Sequence, residues 1–201
     1  TMDTPDFLVI GAGLAGIAAA ADLRQAGASV LLLDKGRALG GRAATRRFDG
    51  QPVDHGAQFC TARTPRLQRL LEGGARDGWA RVWCHGYPLW RDGVIHSRDD
   101  GHPRWCFPDG MRVLPERLAA GLDARTGVPV ESVARAESGL WEARAADGER
   151  FRGRRLILNL PPAQLRTVAG ESLPAAMAAQ IGTAALAPAW ALFGPVGAEF
   201  G

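Results

Sequence analysis

The sequence predicts an α/β fold built around a parallel sheet, and three observations near its start carry that prediction. An apolar run, Phe7-Leu8-Val9-Ile10, ends in a glycine turn, Gly11-Ala12-Gly13-Leu14-Ala15-Gly16. An alanine-rich run follows as far as Gln25. A second apolar run, Val30-Leu31-Leu32-Leu33, closes on Asp34. Each apolar run is too short for a buried helix and is bounded by turn residues, so both read as buried parallel strands. Between them, Ala18 to Ala21 and Leu23 favour helix, Arg24 and Gln25 give it a wet end, and Gly27 stops it.

Strand, tight turn, helix, strand and terminal acid in that order form a dinucleotide-binding pattern, which a glycine triplet alone would not. Gly11 turns the chain off the strand, Gly13 admits a pyrophosphate to the backbone, and Gly16 lets the helix lie against the sheet. The helix start, with Ala15 in its first turn, offers free N–H groups and the positive dipole end to the phosphates. Asp34 is placed to accept from ribose hydroxyls and to repel a 2′-phosphate.

Lys35-Gly36-Arg37-Ala38-Leu39-Gly40-Gly41-Arg42 then adds a second glycine pair followed by an arginine. Gly40-Gly41 allows a loop to fold back over the pyrophosphate, and Arg42 can pair with its oxygens. With these residues the chain resembles the flavin-containing amine oxidase superfamily, whose signature joins the first glycine fingerprint to a downstream Gly-Gly-Arg. Asp54-His55-Gly56-Ala57-Gln58-Phe59 further resembles the renalase-like branch, in which this segment runs beside the flavin ring. The resemblance implies FAD as cofactor. It also implies a Rossmann-like FAD-binding domain with a parallel central sheet, plus part of an α+β substrate-binding domain. The cofactor-binding residues it implies are Gly11, Gly13, Ala15, Gly16, Asp34, Lys35, Gly40, Gly41, Arg42, Gln58, Phe59 and Val130, the last through its backbone at the adenine edge. A catalytic role for His55 has no support.

Composition narrows the classes. The 201 residues are 46% hydrophobic and 22% charged, with a net charge of +3, as for an ordinary globular chain of one domain or slightly more. Its arginines are scattered, and the short clusters Arg46-Arg47 and Arg152 to Arg155 read as solvated faces or phosphate neighbours rather than a nucleic-acid surface. No apolar run is long enough to span a membrane, and no charged lead and apolar core of a secretion signal precede the first strand. Cys60, Cys84 and Cys106 make no metal spacing and read as reduced thiols in a cytoplasmic protein.

Further on, Asp49-Gly50 marks a hairpin, and Leu67, Leu70, Leu71 and Ala75 mark an amphipathic helix between Pro65 and Gly78. Trp79, Trp83, Tyr87, Trp90 and Trp105 crowd the next stretch, where they either fill a small sheet's core or form a cage around a cation or flat ring. Phe107 to Met111 reads as a turn, and Leu114 to Leu122 as a helix starting near Pro115. Val128 to Val133 reads as a strand, the segments flanking Asp147-Gly148 as a hairpin, and Arg155 to Leu160 as a buried strand with an extended exit at Pro161-Pro162. By resemblance, residues 1–64 and 113–183 form the FAD-binding domain, 65–112 part of the substrate domain, and 184–201 the start of a return to it. The superfamily's last segment is absent, so the chain reads as a fragment or an early-ending gene product.

The implied activity is an FAD-dependent oxidoreductase that takes hydride from an amine or an isomeric dihydronicotinamide dinucleotide and passes electrons to O2. A non-catalytic dinucleotide-binding fragment and an NAD-binding dehydrogenase domain remain as alternatives. Gly40-Gly41-Arg42 counts against the dehydrogenase.

Overall fold

Alternation along the two apolar runs decides how the chain is layered. The computed structural model describes residues 4–96 and 99–187. In chain order the first elements are β1 (Phe7–Ile10), α1 (Leu14–Gln25), β2 (Val30–Leu33), β3 (Thr45–Phe48), β4 (Gln51–Asp54), β5 (Cys60–Thr61), α2 (Pro65–Arg76) and β6 (Arg81–Cys84). Then come β7 (Leu89–Arg91), β8 (Val94–His96), β9 (Arg104–Cys106), α3 (Val113–Leu118), β10 (Asp123–Arg125), β11 (Val130–Arg135), β12 (Trp141–Ala145) and β13 (Arg150–Gly153). The last are β14 (Arg155–Leu158), α4 (Pro162–Ala169), a 3-10 turn (Gly170–Ser172) and α5 (Ala175–Thr183). They group into two compact units, residues 4–41 with 115–187 and residues 42–96 with 99–114.

The first unit holds a four-stranded parallel sheet in the order β10-β2-β1-β14. Leu8 and Ile10 of β1 share one face with Leu31 and Leu33 of β2, and pack against Val133, Ala143, Ala145 and Phe151 of the antiparallel sheet β11-β12-β13. On the other face, Val9 and Leu32 meet Ala12, Ile17 and Ala20 at and along α1, together with Ala119. Leu8, Val9, Ile17, Leu32 and Leu33 are fully buried. With side chains covered on both faces, the strands have to be apolar throughout, as parallel strands are.

The second unit is built from hairpins. Asp49 and Gly50 both have positive φ, 47° and 80°, which matches the two-residue primed turn that joins β3 to β4. Asp92 and Gly93 repeat the device between β7 and β8. β5-β9-β6 makes a three-stranded antiparallel sheet, and α2 starts on Thr64, whose hydroxyl accepts from the Leu67 N–H, with Pro65 in its first turn. Residues 42–64, expected with the cofactor domain, group here because β3 and β4 are tied to the 107–112 turn. The Thr45 hydroxyl donates to Asp54 Oδ1 at 2.6 Å and accepts from the Arg112 N–H at 3.0 Å, while the Met111 N–H donates to the same Asp54 oxygen at 2.8 Å.

Several expectations shift. The helix expected over Leu114 to Leu122 runs from Val113 to Leu118, because its first turn tolerates Pro115 and the chain turns at Ala119-Ala120. The strand expected from Val128 starts at Val130, since the Gly127 and Val128 N–H groups bond instead to the carbonyls of Gly36 and Asp34. The exit from β14 is extended as far as Pro161, with φ of −56° and ψ of 149°, and Pro162 then opens a helix at a position that needs no N–H donor. Strand β10 and helix α5 have no counterpart in the sequence reading. Of the expected return strand, residues 184–187 have no regular structure and the rest lies outside the described residues.

Candidate functional site

The dinucleotide turn lies at the carboxyl ends of β1, β2 and β14, with β2 on one side of β1 and β14 on the other. In α/β sheets this is where ligands are held. Its backbone is fixed almost group by group. The Gly11 N–H donates to the Leu33 carbonyl at 2.8 Å, the Ala12 N–H to Asp34 Oδ2 at 2.6 Å, and the Ile17 N–H to the Gly13 carbonyl at 3.0 Å. Gly11 has a φ of 102°, and a Cβ there would collide with the Asn159 carbonyl. A Cβ on Gly16 would collide with the Gly11 carbonyl, so the third glycine does set how closely α1 approaches β1. Helix α1 starts after Gly13 with no side-chain cap, and its first-turn amides, Ala15 and Gly16 among them, have no intrahelical acceptors.

The second glycine pair folds back onto this turn. The Gly40 N–H donates to the Ala12 carbonyl at 2.8 Å, and Gly13 and Gly40 form a parallel bridge. A Cβ on Gly41 would stand 3.3 Å from the Gly13 Cα, and Gly40 and Gly41 have φ of 109° and 57°. Both positions therefore exclude a side chain, one through conformation and the other through conformation and contact. Asp34 sits at the end of β2 with Oδ1 on the Gly36 N–H at 2.6 Å and Oδ2 on Ala12. Two backbone donors hold the carboxylate at the turn, and its remaining lone pairs are available to a sugar diol. Lys35 beside it is exposed. Val130 begins β11, half-buried against the core, just after the backbone bonds from Gly127 and Val128 to the Asp34 loop.

These contacts bring Gly11, Gly13, Ala15, Gly16, Asp34, Gly40 and Gly41 to one place, with Lys35 and Val130 on the adjoining segments. Arg42, Gln58 and Phe59 belong to the second unit. The Arg42 carbonyl accepts from the Ala57 N–H at 2.9 Å, and a Cβ on Gly56 would collide with that carbonyl. Gln58 lines an open cleft of about 420 Å³ with Asp54, Arg81, Trp83, Cys106 and Phe107.

Phe59 joins a cluster in which the rings of Trp83 and Tyr87 lie 6.3 and 5.3 Å from its own. The cluster already holds a cation. Arg104 stands 5.8 Å from the Phe59 centroid and 5.5 Å from that of Tyr87, clamped by Asp100 at 2.6 and 3.0 Å. That clamp holds the Asp100 carboxyl down at about 2. The crowded aromatics thus take different places. Trp105 is a core ring, Trp79 stacks on Phe107, Phe59 and Tyr87 flank the guanidinium with Trp83 packed against their rings, and Trp90 is exposed. Burial, with the neighbouring Cys106, pushes the Cys60 thiol up to about 11, so it is not a poised nucleophile. Among the described residues no cluster has the makings of a metal site, and no helix is long and apolar enough to cross a membrane.

Two sequence-family models match the chain. One is described as an NAD(P)-binding Rossmann-like domain, over residues 9–73, and the other as flavin containing amine oxidoreductase, over residues 92–191. Over these stretches the chain is similar to NAD(P)-binding Rossmann-like domains and to flavin-containing amine oxidoreductases. A Mycobacterium tuberculosis protein assigned as a flavin-containing monoamine oxidase, AofH, is 33% identical over 147 residues, which are 67% of this chain and 32% of that protein. A carotenoid 3,4-desaturase of Haloarcula japonica is 47% identical over 108 residues, 54% of this chain and 19% of the desaturase. A solved putrescine oxidase variant shares the fold with a TM-score of 0.69 at 16% identity, over 89% of this chain and 63% of that one. The chain thus spans about a third or less of the curated relatives it matches. The family's cofactor is a flavin, and the cradle fits its dinucleotide form, FAD. It offers a glycine-lined turn, uncapped helix amides for the diphosphate and a fixed carboxylate for the ribose.

The sequence reading missed Asn159, whose side-chain amide donates to the Gly11 carbonyl at 3.1 Å. Its signal was available: a lone amide ends the apolar run of β14, directly before Leu160 and two prolines.

Proposed function

We propose that the chain is the cofactor-holding part of an FAD-dependent oxidase that takes hydride from an amine or a dihydronicotinamide-type substrate and passes the electrons to O2. The observation that carries the reading is the packing of Gly41 against Gly13 over an uncapped helix start, beside a carboxylate held by two backbone amides. When bound, FAD supplies the two-electron acceptor. The first-turn amides of α1 then neutralise the diphosphate, Asp34 accepts from the ribose hydroxyls, and the Val130 backbone lies toward the adenine side. Arg42 is carried as a phosphate partner by its place directly after Gly41, and Gln58 and Phe59 as ring-side residues by their resemblance to the renalase-like segment. In this reading, hydride loss from a dihydropyridine needs no protein base, whereas an amine has to react with its nitrogen deprotonated.

Absorbance of the purified chain, followed by stopped-flow mixing with 6-dihydro-NAD and with a panel of amines, tests the proposal. A flavin band that bleaches with one donor class supports it and selects the substrate. A flavin band that neither class bleaches removes the oxidase reading and leaves a dinucleotide-holding unit. A colourless protein that NAD stabilises and FAD does not points to a nicotinamide enzyme instead.

A further inference from the structure

Strand β14 reads Arg155-Leu156-Ile157-Leu158, and then the next residue inward is an amide where another apolar side chain would suit the sheet. Its backbone needs nothing unusual, because the Asn159 N–H donates to the Ile10 carbonyl at 2.8 Å and simply extends the parallel ladder. The side chain does something else. Nδ2 donates to the Gly11 carbonyl at 3.1 Å, across 148 residues of sequence. The same nitrogen would stand 3.1 Å from a Cβ on Gly13 and 2.8 Å from one on Gly16. One amide group therefore bonds to Gly11 and occupies the space that side chains on Gly13 and Gly16 would need.

The Gly11 carbonyl lies in the crook between β1 and α1, where Gly16 excludes any side chain of its own, and Gly11 itself is buried. A carbonyl in that position needs a donor or carries a desolvation cost. Asn159 supplies it from the opposite side of β1 to Asp34, which holds Ala12 from β2. The turn is thus pinned on both flanks by side chains from the two strands that neighbour β1.

We propose that Asn159 is a positioning residue of the cofactor cradle: its amide latches the Gly11 carbonyl and keeps the Gly11–Gly16 turn in its ligand-accepting shape before any ligand arrives. The inference rests on the dinucleotide reading of that turn. Without the latch the turn samples other conformations, and apparent affinity falls by the fraction that remains competent. A neutral hydrogen bond of ordinary strength corresponds to a loss of roughly 2- to 12-fold.

The test uses the full chain and titrates both FAD and ADP, the diphosphate half that FAD shares with NAD. Failure of FAD to bind while ADP binds overturns the flavin reading without removing the test of Asn159. Asn159→Leu keeps the size and removes the donor. Asn159→Asp places an acceptor against the carbonyl at pH 8; partial burial against that carbonyl oxygen favours the protonated acid, which restores a donor as the pH is lowered toward 5. Each affinity is compared with that of the unaltered chain at the same pH. Circular dichroism checks that the variants fold. The expected result is a loss of ADP affinity of roughly 2- to 12-fold in Asn159→Leu. In Asn159→Asp a larger loss at pH 8 recedes by at least about threefold toward pH 5. If Asn159→Leu does not fold, the pH recovery of Asn159→Asp carries the test alone. Unchanged affinity at pH 8 in the folded variants, or an Asn159→Asp deficit that does not vary with pH, overturns the proposal; a filler of space would give the second pattern.

Discussion

Thr45 shows how much of this protein's order runs through single polar atoms. It is buried, 8% exposed, and its hydroxyl both donates to Asp54 and accepts from the Arg112 N–H. A Cβ on Gly110 would collide with it, so the 107–112 turn closes directly over the hydroxyl. Thr45→Val keeps the shape and removes both bonds, leaving an amide and a carboxylate oxygen short of a partner. The expected loss is about 1–3 kcal/mol, read from denaturant unfolding. At the same scale, Gly11, Gly13 and Gly16 are needed for reasons internal to the chain as well as for a ligand. Each faces Asn159, and Gly16 also faces the Gly11 carbonyl.

Among the elements, β1, α1 and β2 were legible to the residue, because two short apolar runs and an alanine-rich helix leave no competing pattern. The Asp49-Gly50 turn was equally legible, since positive φ at two successive positions restricts which residues can stand there. Strand β10 was not. Its three residues, Asp123-Ala124-Arg125, carry no apolar alternation, and their strand form comes from pairing with Leu31 to Leu33. The cradle could be read because it consists of glycines and one acid at fixed spacing. The lone amide at Asn159 was visible as an interruption of an apolar run, but its partner was not, because the contact joins residues 148 apart.

The segment that enters β9 was also unreadable as such, although its Asp100–Arg104 clamp holds the guanidinium against Phe59 and Tyr87. Asp100 has its carboxyl lowered to about 2 from 3.8, chiefly by the Arg104 hydrogen bonds. A depressed acid contributes stability that is present above its unfolded value and lost as pH falls through the folded one. The clamp should therefore weaken between about pH 4 and pH 2. Across that window Asp100→Asn should flatten the acid decline of the denaturant midpoint, and an unchanged slope would assign that decline to other carboxylates.

At the scale of the whole molecule, one unit has a two-faced parallel core and the other is a set of hairpins with much apolar surface in water. Trp90 and Ile95 are 70% and 71% exposed, and Trp83, Val94 and Leu89 are about half exposed. The first unit contains the glycine-and-carboxylate cradle, and the proposed role requires that this unit take the diphosphate and ribose of FAD. The most direct measurement is a titration of ¹⁵N-labelled chain with FAD, following the backbone amides of Gly13, Ala15 and Gly16. If the cradle is the binding site, these three signals shift together and saturably, with the Gly36 and Gly41 amides moving alongside them. Saturable binding that leaves all three unmoved, or no binding at all, would contradict it.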